Sequence, residues 1–214
     1  MAQNYASSVQ GVAIRVTSLN ADGTTATGAS ASYVLNSFIR VSFTPEYEEG
    51  DEFTEKNAAG GVCTTFKADD TLKRANLEVA VCNPDAEFTQ KVAGGLLLSG
   101  DGLTQGYAAP EIGVSANPNG VALEVWSKAV VGGKIAAVRP YFRFLFPYVQ
   151  LRPSGERVIE NGIMAHTFEG WSVGNSGYGD GPQNDWTYTS DRAWAYTRAA
   201  SAPLGINGFQ TPLA

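Results

Sequence analysis

The sequence predicts an all-β protein, an antiparallel sandwich or barrel-like subunit with one short α-helix. Several segments alternate apolar and polar residues with a period of two, which is typical of strands that bury one face. The 24 glycines favour short strands joined by tight turns. Start and stop signals for a helix occur together at one place. With 43% hydrophobic and 17% charged residues, we expect the 214 residues to form a single domain, 1–214.

Five segments alternate clearly enough to be predicted as strands. In chain order they are 12–19, 32–43, 71–82, 121–131 and 137–151, followed by a last strand or extended arm within 186–214. The clearest is 32–43, where the apolar side chains that share one face are Tyr33, Leu35, Ile39, Val41 and Phe43. Pro147 predicts an edge position or a bulge, and Asn161-Gly162 predicts a hairpin turn between 156–160 and 163–171.

The segment RPYFRFLFPY, which begins at Arg139, interleaves aromatic residues with arginines. One interpretation is a strand that stacks RNA bases. Alternation favours a core instead, because it places four aromatic residues on one face: Phe142, Phe144, Phe146 and Tyr148. Arg139, Tyr141 and Arg143 fall on the other face. The acidic total of the chain provides no basic groove around these aromatics.

The single predicted helix spans about residues 84–93. Asn83 is suited to cap it, and Pro84 to its first position. Asp85 and Glu87 favour the positive end of the helix dipole. Gly94-Gly95 then ends the helix.

Charge and composition exclude several classes of function. The net charge of −6 and the pI of about 4.8 argue against a protein that reads nucleic-acid sequence. The longest apolar run is too short for a membrane helix, so we expect no membrane insertion. The N-terminus has no signal-peptide pattern, which predicts synthesis in a reducing cytosol and free, dispensable thiols at Cys63 and Cys82.

The sequence offers little for catalysis, and we expect neither an enzyme nor a bound cofactor or metal. His166 is the only histidine, so it would have to carry a catalytic triad alone, and we expect it to be an ordinary strand residue. No nucleophile elbow or Walker loop occurs. Cys63, Cys82 and His166 lack the paired-cysteine spacing of a zinc site.

A long acidic loop is predicted over about 44–61. Its candidate site residues are Glu46, Tyr47, Glu48, Glu49, Asp51, Glu52, Phe53 and Glu55. The spacing of the carboxylates does not match a Ca²⁺ loop. A contiguous solvated run also cannot hold two carboxylates across a cleft for general acid and base chemistry. Charge by itself therefore predicts a solvated loop.

The stretch from Phe43 to Phe88, FTPEYEEGDEFTEKNAAGGVCTTFKADDTLKRANLEVAVCNPDAEF, resembles the major tail tube proteins of long, non-contractile-tailed bacteriophages, particularly those of actinobacterial hosts. The likeness spans most of the chain and is strongest over 41–95, with weaker support from PYFRFLFP and the C-terminal aromatic stretch. The similarity is spread along the chain, and no single diagnostic motif carries it.

This resemblance implies a structural subunit of the virion tail, assembled in the cytoplasm of the host bacterium. Copies would join their sheets into rings, and the rings would stack into a hollow tube. The DNA would pass through without sequence-specific binding, and an acidic wall suits such a conduit. The implied partners are the protein itself, the tape measure protein and other tail proteins. The acidic loop would contact the adjacent ring.

Two alternatives remain beside this interpretation. One is another virion structural protein, for tail completion or host attachment, which would form a finite ring. The other is a carbohydrate-binding β-sandwich module, suggested by Trp126, Trp171, Trp186 and Trp194. Tryptophans exposed together on one surface would favour sugar binding, whereas tryptophans packed in a core would remove that support.

Overall fold

The structure is a computed structural model that describes residues 6–28, 30–36, 38–82, 85–100, 102–115, 117–155, 166–182 and 186–203. In these ranges the chain is mostly β with antiparallel sheets and one α-helix, which confirms the predicted fold class. The strands are β1 Ser7–Ser18, β2 Ser32–Leu35, β3 Phe38–Glu48, β4 Glu52–Lys56, β5 Val62–Lys67, β6 Thr71–Val81, β7 Leu96–Gly100, β8 Leu103–Ala108, β9 Val121–Val131, β10 Lys134–Ile135, β11 Tyr141–Ser154, β12 His166–Val173 and β13 Ala195–Ala199. The helix is α1, Ala86–Ala93, and Ser176–Tyr178 form one turn of 3₁₀ helix.

Most of the described strands join one antiparallel sheet in the order β2-β1-β9-β11-β12-β6-β3, with β10 on β9 and β13 on β11. The sheet curls on itself, because the Phe38 ring of β3 lies against Gly11 of β1 although these strands are far apart in the order. The remaining strands form two separate hairpins, β4-β5 and β7-β8.

The inner face of the curled sheet forms the main core together with α1. Its buried residues come from β1, β2, β6, β9, β11, β12 and the helix: Ile14, Val16, Tyr33, Leu35, Leu77, Val79, Val81, Phe88, Val92, Ala93, Val121, Leu123, Val125, Phe146, Val149, Leu151 and Phe168. The helix contributes Phe88, whose ring meets Phe168 edge-on at 5.6 Å. Fully burying one such side chain contributes about 1.5–3 kcal/mol.

Asp85, rather than the predicted Asn83, caps the helix. Its Oδ1 accepts the backbone N–H of Phe88 at 2.8 Å, and its Oδ2 accepts the Tyr33 hydroxyl at 2.6 Å. The helix therefore begins at Ala86, two residues later than predicted, and Asn83 and Pro84 lie outside the described residues. Gly94, at φ 70°, ends the helix as expected.

The predicted strand 32–43 is wrong as one element, because the structure divides it into β2 and β3. Strand β2 pairs with β1, whereas β3 pairs with β6 at the other end of the sheet order. The alternation is interrupted at this break, since Ser37 takes a position of the apolar face and Phe38 a position of the polar face, and that interruption was the available signal for the change of partner. Ile39, predicted to be in the core, is 59% exposed.

Strand β11 confirms the bulge predicted at Pro147, since its register with β9 shifts between Phe146 and Val149. The predicted aromatic core stripe is only partly correct. Phe146 is buried in the core, but Phe144 is half-buried, and Arg143 and Leu145 on the opposite face are fully buried.

The second face of β11 is covered by the chain between β12 and β13. Tyr178 and Tyr188 from that segment pack with Ala122 and Leu145 of the sheet and with Leu19, which directly follows β1. The segment 174–185, predicted as a loop, thus contributes to a smaller second core.

Two expectations fall partly or wholly on residues that the structure does not describe. The Asn161-Gly162 hairpin turn lies outside the described residues, as does the C-terminal arm from 204 onward. Within the described part of that arm, Ala195–Ala199 form β13 on the edge of β11.

Candidate assembly surface

The acidic segment predicted as a loop is a β-ribbon. Strands β3 and β6 pair as far as Glu48 opposite Thr71, and the ladder resumes in the β4-β5 hairpin from Glu52 opposite Lys67 to Lys56 opposite Val62. The prediction of a loop over 44–61 is therefore wrong for 44–48 and 52–56, which are strands, and it holds only for 49–51 and the turn at 57–61. Apolar alternation did not reveal β4, because a strand that is exposed on both faces needs no apolar face. We call residues 46–74 the arm.

The arm projects beyond the sheet. Strand β12 flanks β6 only as far as Ala75, and in the described part of the chain no other strand flanks the arm beyond that residue. The run 46–56, at about 3.3 Å per residue, gives a reach of roughly 35 Å.

Both strands at the end of the arm are exposed along their whole length. Phe53 and Phe66 lie directly opposite each other on one face, with 59% and 64% of their surface exposed. Tyr47, Val62 and Leu72 add further exposed apolar surface. An isolated two-stranded hairpin is marginally stable in water, and clustered apolar exposure marks interaction sites.

The predicted site residues are distributed along one strand of the arm. Glu46, Tyr47 and Glu48 lie at the end of β3, Glu49 and Asp51 in the link, and Glu52, Phe53 and Glu55 on β4. Sequence reasoning missed the return strand, where Val62 and Phe66 are exposed. Their alternation with Cys63 and Thr65 was the available signal.

At the base of the arm, Glu46 belongs to the fold. Its Oε2 accepts from Arg74 Nε at 2.7 Å and from Asn76 Nδ2 at 2.9 Å, and Lys73 Nζ lies 3.7 Å from Oε1. The hydrogen bond from Arg74 lowers the pKa of the Glu46 carboxyl. The carboxylates farther out, Glu48 to Glu55, are exposed and available to a partner.

The interior holds a different charged cluster, which we call the arginine pair network. Glu124 on β9 accepts from Arg15 Nε and from Arg143 Nε, each at 2.6 Å, and all three residues are fully buried. The Trp126 ring lies 5.0 Å from the Arg15 guanidinium and 5.4 Å from that of Arg143. Complete burial makes this network part of the scaffold rather than a site for a substrate.

The residues considered for catalysis or metal binding do not converge. His166 is buried on β12 opposite Val81. Cys63 is exposed on β5, Cys82 is half-buried after β6, and both are free thiols. Among the described residues no group of three His, Cys, Asp or Glu side chains could hold a metal ion.

The tryptophans do not form a shared exposed surface. Trp126 is buried in the arginine pair network, and Trp186 also lies 5.3 Å from the Arg143 guanidinium. Trp194 packs on Phe43 at 5.2 Å, and Trp171 on Tyr148 at 6.0 Å. This arrangement removes the sequence argument for a sugar platform made of all four.

None of the helices within the described ranges has the length and apolar character needed to cross a bilayer. A scan against protein-family models and a search of the curated proteins returned no match to this chain.

Proposed function

We propose that this protein is a structural subunit that self-assembles into stacked rings, and that these rings form the tube of a phage tail. The observation that supports the proposal is the arm. It extends roughly 35 Å and exposes the Phe53–Phe66 pair, which no described part of its own chain covers. The resemblance of residues 43–88 to tail tube proteins supplies the biological setting.

An arm that contacts a different surface on another copy makes a heterologous contact. Such contacts generate closed rings where the rotation closes and filaments where it does not. A tube of stacked rings needs both kinds of contact, one that closes each ring and one that repeats along the tube axis. The partners in this proposal are further copies of the chain, then the tape measure protein and other tail proteins, in a virion assembled in the bacterial cytoplasm.

The charge of the chain is compatible with a DNA conduit. A net charge of −6 disfavours tight binding of phosphate backbones, so DNA would move along the tube without being held.

Electron microscopy of the concentrated, purified protein tests the proposal. We expect tubes of uniform diameter with a regular axial repeat. A finite ring that never stacks would instead favour a tail-completion or host-attachment subunit. A protein that stays monomeric at high concentration, in salt of virion-like strength, would contradict self-assembly altogether.

A further inference from the structure

The large sheet contains a gap where β12 ends. Both β12 and β13 pair with the same edge of β11, with Val173 opposite Tyr148 and Ala195 opposite Leu145. After β12 the chain leaves this edge of β11, and it returns next to the end of β12, where Ser172 Oγ donates a hydrogen bond to the Ala193 carbonyl at 2.6 Å. Strand β13 therefore continues the line of β12.

In a continuous sheet, β13 would pair with the next strand, β6. The β12–β6 ladder ends with Ser172 opposite Ala75, although β6 extends to Thr71. Within the described residues no strand pairs with this edge of β6 at 71–74, and none pairs with the outer edge of β13. Two strand edges thus face each other without being joined.

A cleft of about 860 Å³ lies between these edges. It is lined by Leu72 and Lys73 on one side and by Trp194, Ala195 and Tyr196 on the other. We call it the edge cleft. Unpaired strand edges readily accept another strand, because their N–H and C=O groups are already aligned.

The side chains of the edge cleft suit an apolar and acidic strand. Trp194 stacks on Tyr196 at 6.4 Å, and Tyr196 remains 59% exposed, so an aromatic surface stands uncovered. Lys73 and Arg192 outnumber Asp191 among the charged residues of the lining, which gives it a positive balance.

We propose that the edge cleft receives the arm of a second copy of this chain, whose strand pairs with the free edges of β6 and β13. This inference rests on the proposed function and names the acceptor surface. The arm presents Phe53 and Phe66 to an aromatic surface. Residues 48–70 carry seven carboxylates against two lysines, so their charge is opposite to that of the lining. The arm of the same copy starts at the wall of the cleft and leads away from it, so the strand comes from another copy.

Hydrogen exchange on assembled and unassembled protein tests the pairing. We expect the backbone amides within 71–74 and 195–199 that point to the unpaired edges to exchange at least tenfold more slowly in the assembled form, whereas the amides already paired with β3 and β11 change less. If tubes form and these amides are unchanged, the edge cleft is not an acceptor, while the proposed function stands. If no assembly forms at all, both proposals fail.

Disulfide trapping tests which segment enters the cleft, because Cys63 is an exposed thiol on the arm. Tyr196→Cys or Leu72→Cys is introduced separately into a Cys82→Ser background. Each variant is assembled and its thiols are then oxidised. We expect covalent oligomers from at least one variant, with mass spectrometry locating the bond to Cys63, and loss of these oligomers when Cys63→Ser is added. Val138→Cys is the matched control, since Val138 is 77% exposed but does not line the cleft. If hydrogen exchange shows that the strand edges are protected, but neither introduced cysteine forms a disulfide with Cys63, then the strand that occupies the cleft is not the arm.

Discussion

Glu124 shows how a single residue holds a charged group inside this fold. Burial would raise the pKa of its carboxyl, but the guanidiniums of Arg143 and Arg15 outweigh burial and hold that pKa below its usual value. The carboxylate is therefore ionised in the folded protein. It links β1, β9 and β11 through side chains as well as through the backbone ladder.

Glu124→Gln removes the carboxylate and leaves two buried guanidiniums without it. We expect the free energy of unfolding to fall by about 3–5 kcal/mol, measured by urea denaturation. Glu169→Gln is the control, because its ion pair with Arg152 at 3.2 Å is exposed and should be worth less than about 1 kcal/mol. Equal losses in the two variants would contradict a central role for the arginine pair network.

The lowered pKa of the Glu124 carboxyl predicts how the free energy of unfolding changes at acid pH. Its folded pKa is depressed, so its stabilising contribution is complete above the unfolded value of about 4.3 and is lost as pH falls through the folded pKa. We expect the difference in unfolding free energy between wild type and Glu124→Gln to shrink as pH falls from neutral to below about 4. Urea titrations at several pH values measure it. A difference that stays constant over this range would show that the Glu124 carboxyl does not titrate differently on folding.

At the scale of elements, helix α1 depends on one cap that also connects it to the sheet. Asp85 accepts from the first turn of the helix with one oxygen and from Tyr33 on β2 with the other. The helix has only eight residues and would not be stable alone. Its position over the core thus depends on packing and on this cap.

Asp85→Ala should lower the free energy of unfolding by about 1–2 kcal/mol, since it removes the cap. Asp85→Asn should retain most of the stability, because an amide oxygen can still accept at the cap position. Chemical denaturation followed by circular dichroism measures both variants. If the Asn variant is as unstable as the Ala variant, the charge rather than the capping geometry is what matters.

The arm is an element that should serve assembly and not folding. Replacing 51–68 with a short Gly-Ser turn leaves the Glu46–Arg74 contact intact and removes only exposed strands. We expect a folded monomer with an unfolding free energy within about 1 kcal/mol of wild type that no longer forms tubes in electron microscopy.

Point variants separate the two faces of the arm. Phe53→Asp with Phe66→Asp should block tube formation, whereas Thr54→Asp with Thr65→Asp should do so less, because the threonines occupy the opposite face. Normal tubes from the arm-deleted protein would refute the assembly role. An unfolded deletion variant would show that the arm belongs to the core.

At the scale of the whole molecule, closure of the sheet depends on contacts between distant parts of the chain. Strand β1 pairs with β9 about a hundred residues later, as in Val16 opposite Leu123, and β3 reaches back to β1 through Phe38 and Gly11. A topology with so many non-local contacts is expected to fold slowly.

Gly11→Ala tests this closure, because an added Cβ would meet the Phe38 ring. We expect it to lower the unfolding free energy by about 1–3 kcal/mol. The loss should be smaller in a Phe38→Ala background, where the ring is absent, and the double-mutant cycle measures the coupling. Gly106→Ala is the control, since the nearest atom to its added Cβ is 3.8 Å away. Strictly additive losses would contradict contact between the two strands.

Elements with local signals could be predicted from the amino-acid sequence. Alternation located 71–82 and 121–131 almost to the residue, Pro147 marked the bulge, and Gly94 ended the helix. These signals depend on the residue's own backbone preferences and on neighbours a few positions away.

The pairing of the strands and the covering of their faces could be assigned only from the folded molecule. The predicted apolar face of 32–43 is interrupted only at Ser37, yet β2 and β3 join opposite ends of the sheet order. Arg15 and Arg143 occupy polar positions in alternating strands, yet Tyr178 and Tyr188 cover their face and Glu124 supplies the opposing charge. The acidic segment forms strands because 71–74 pairs with its first part and 62–67 with its second, and the edge cleft exists because β13 pairs with β11 without reaching β6. Each of these outcomes depends on partners distant in the chain, so no local pattern could specify it.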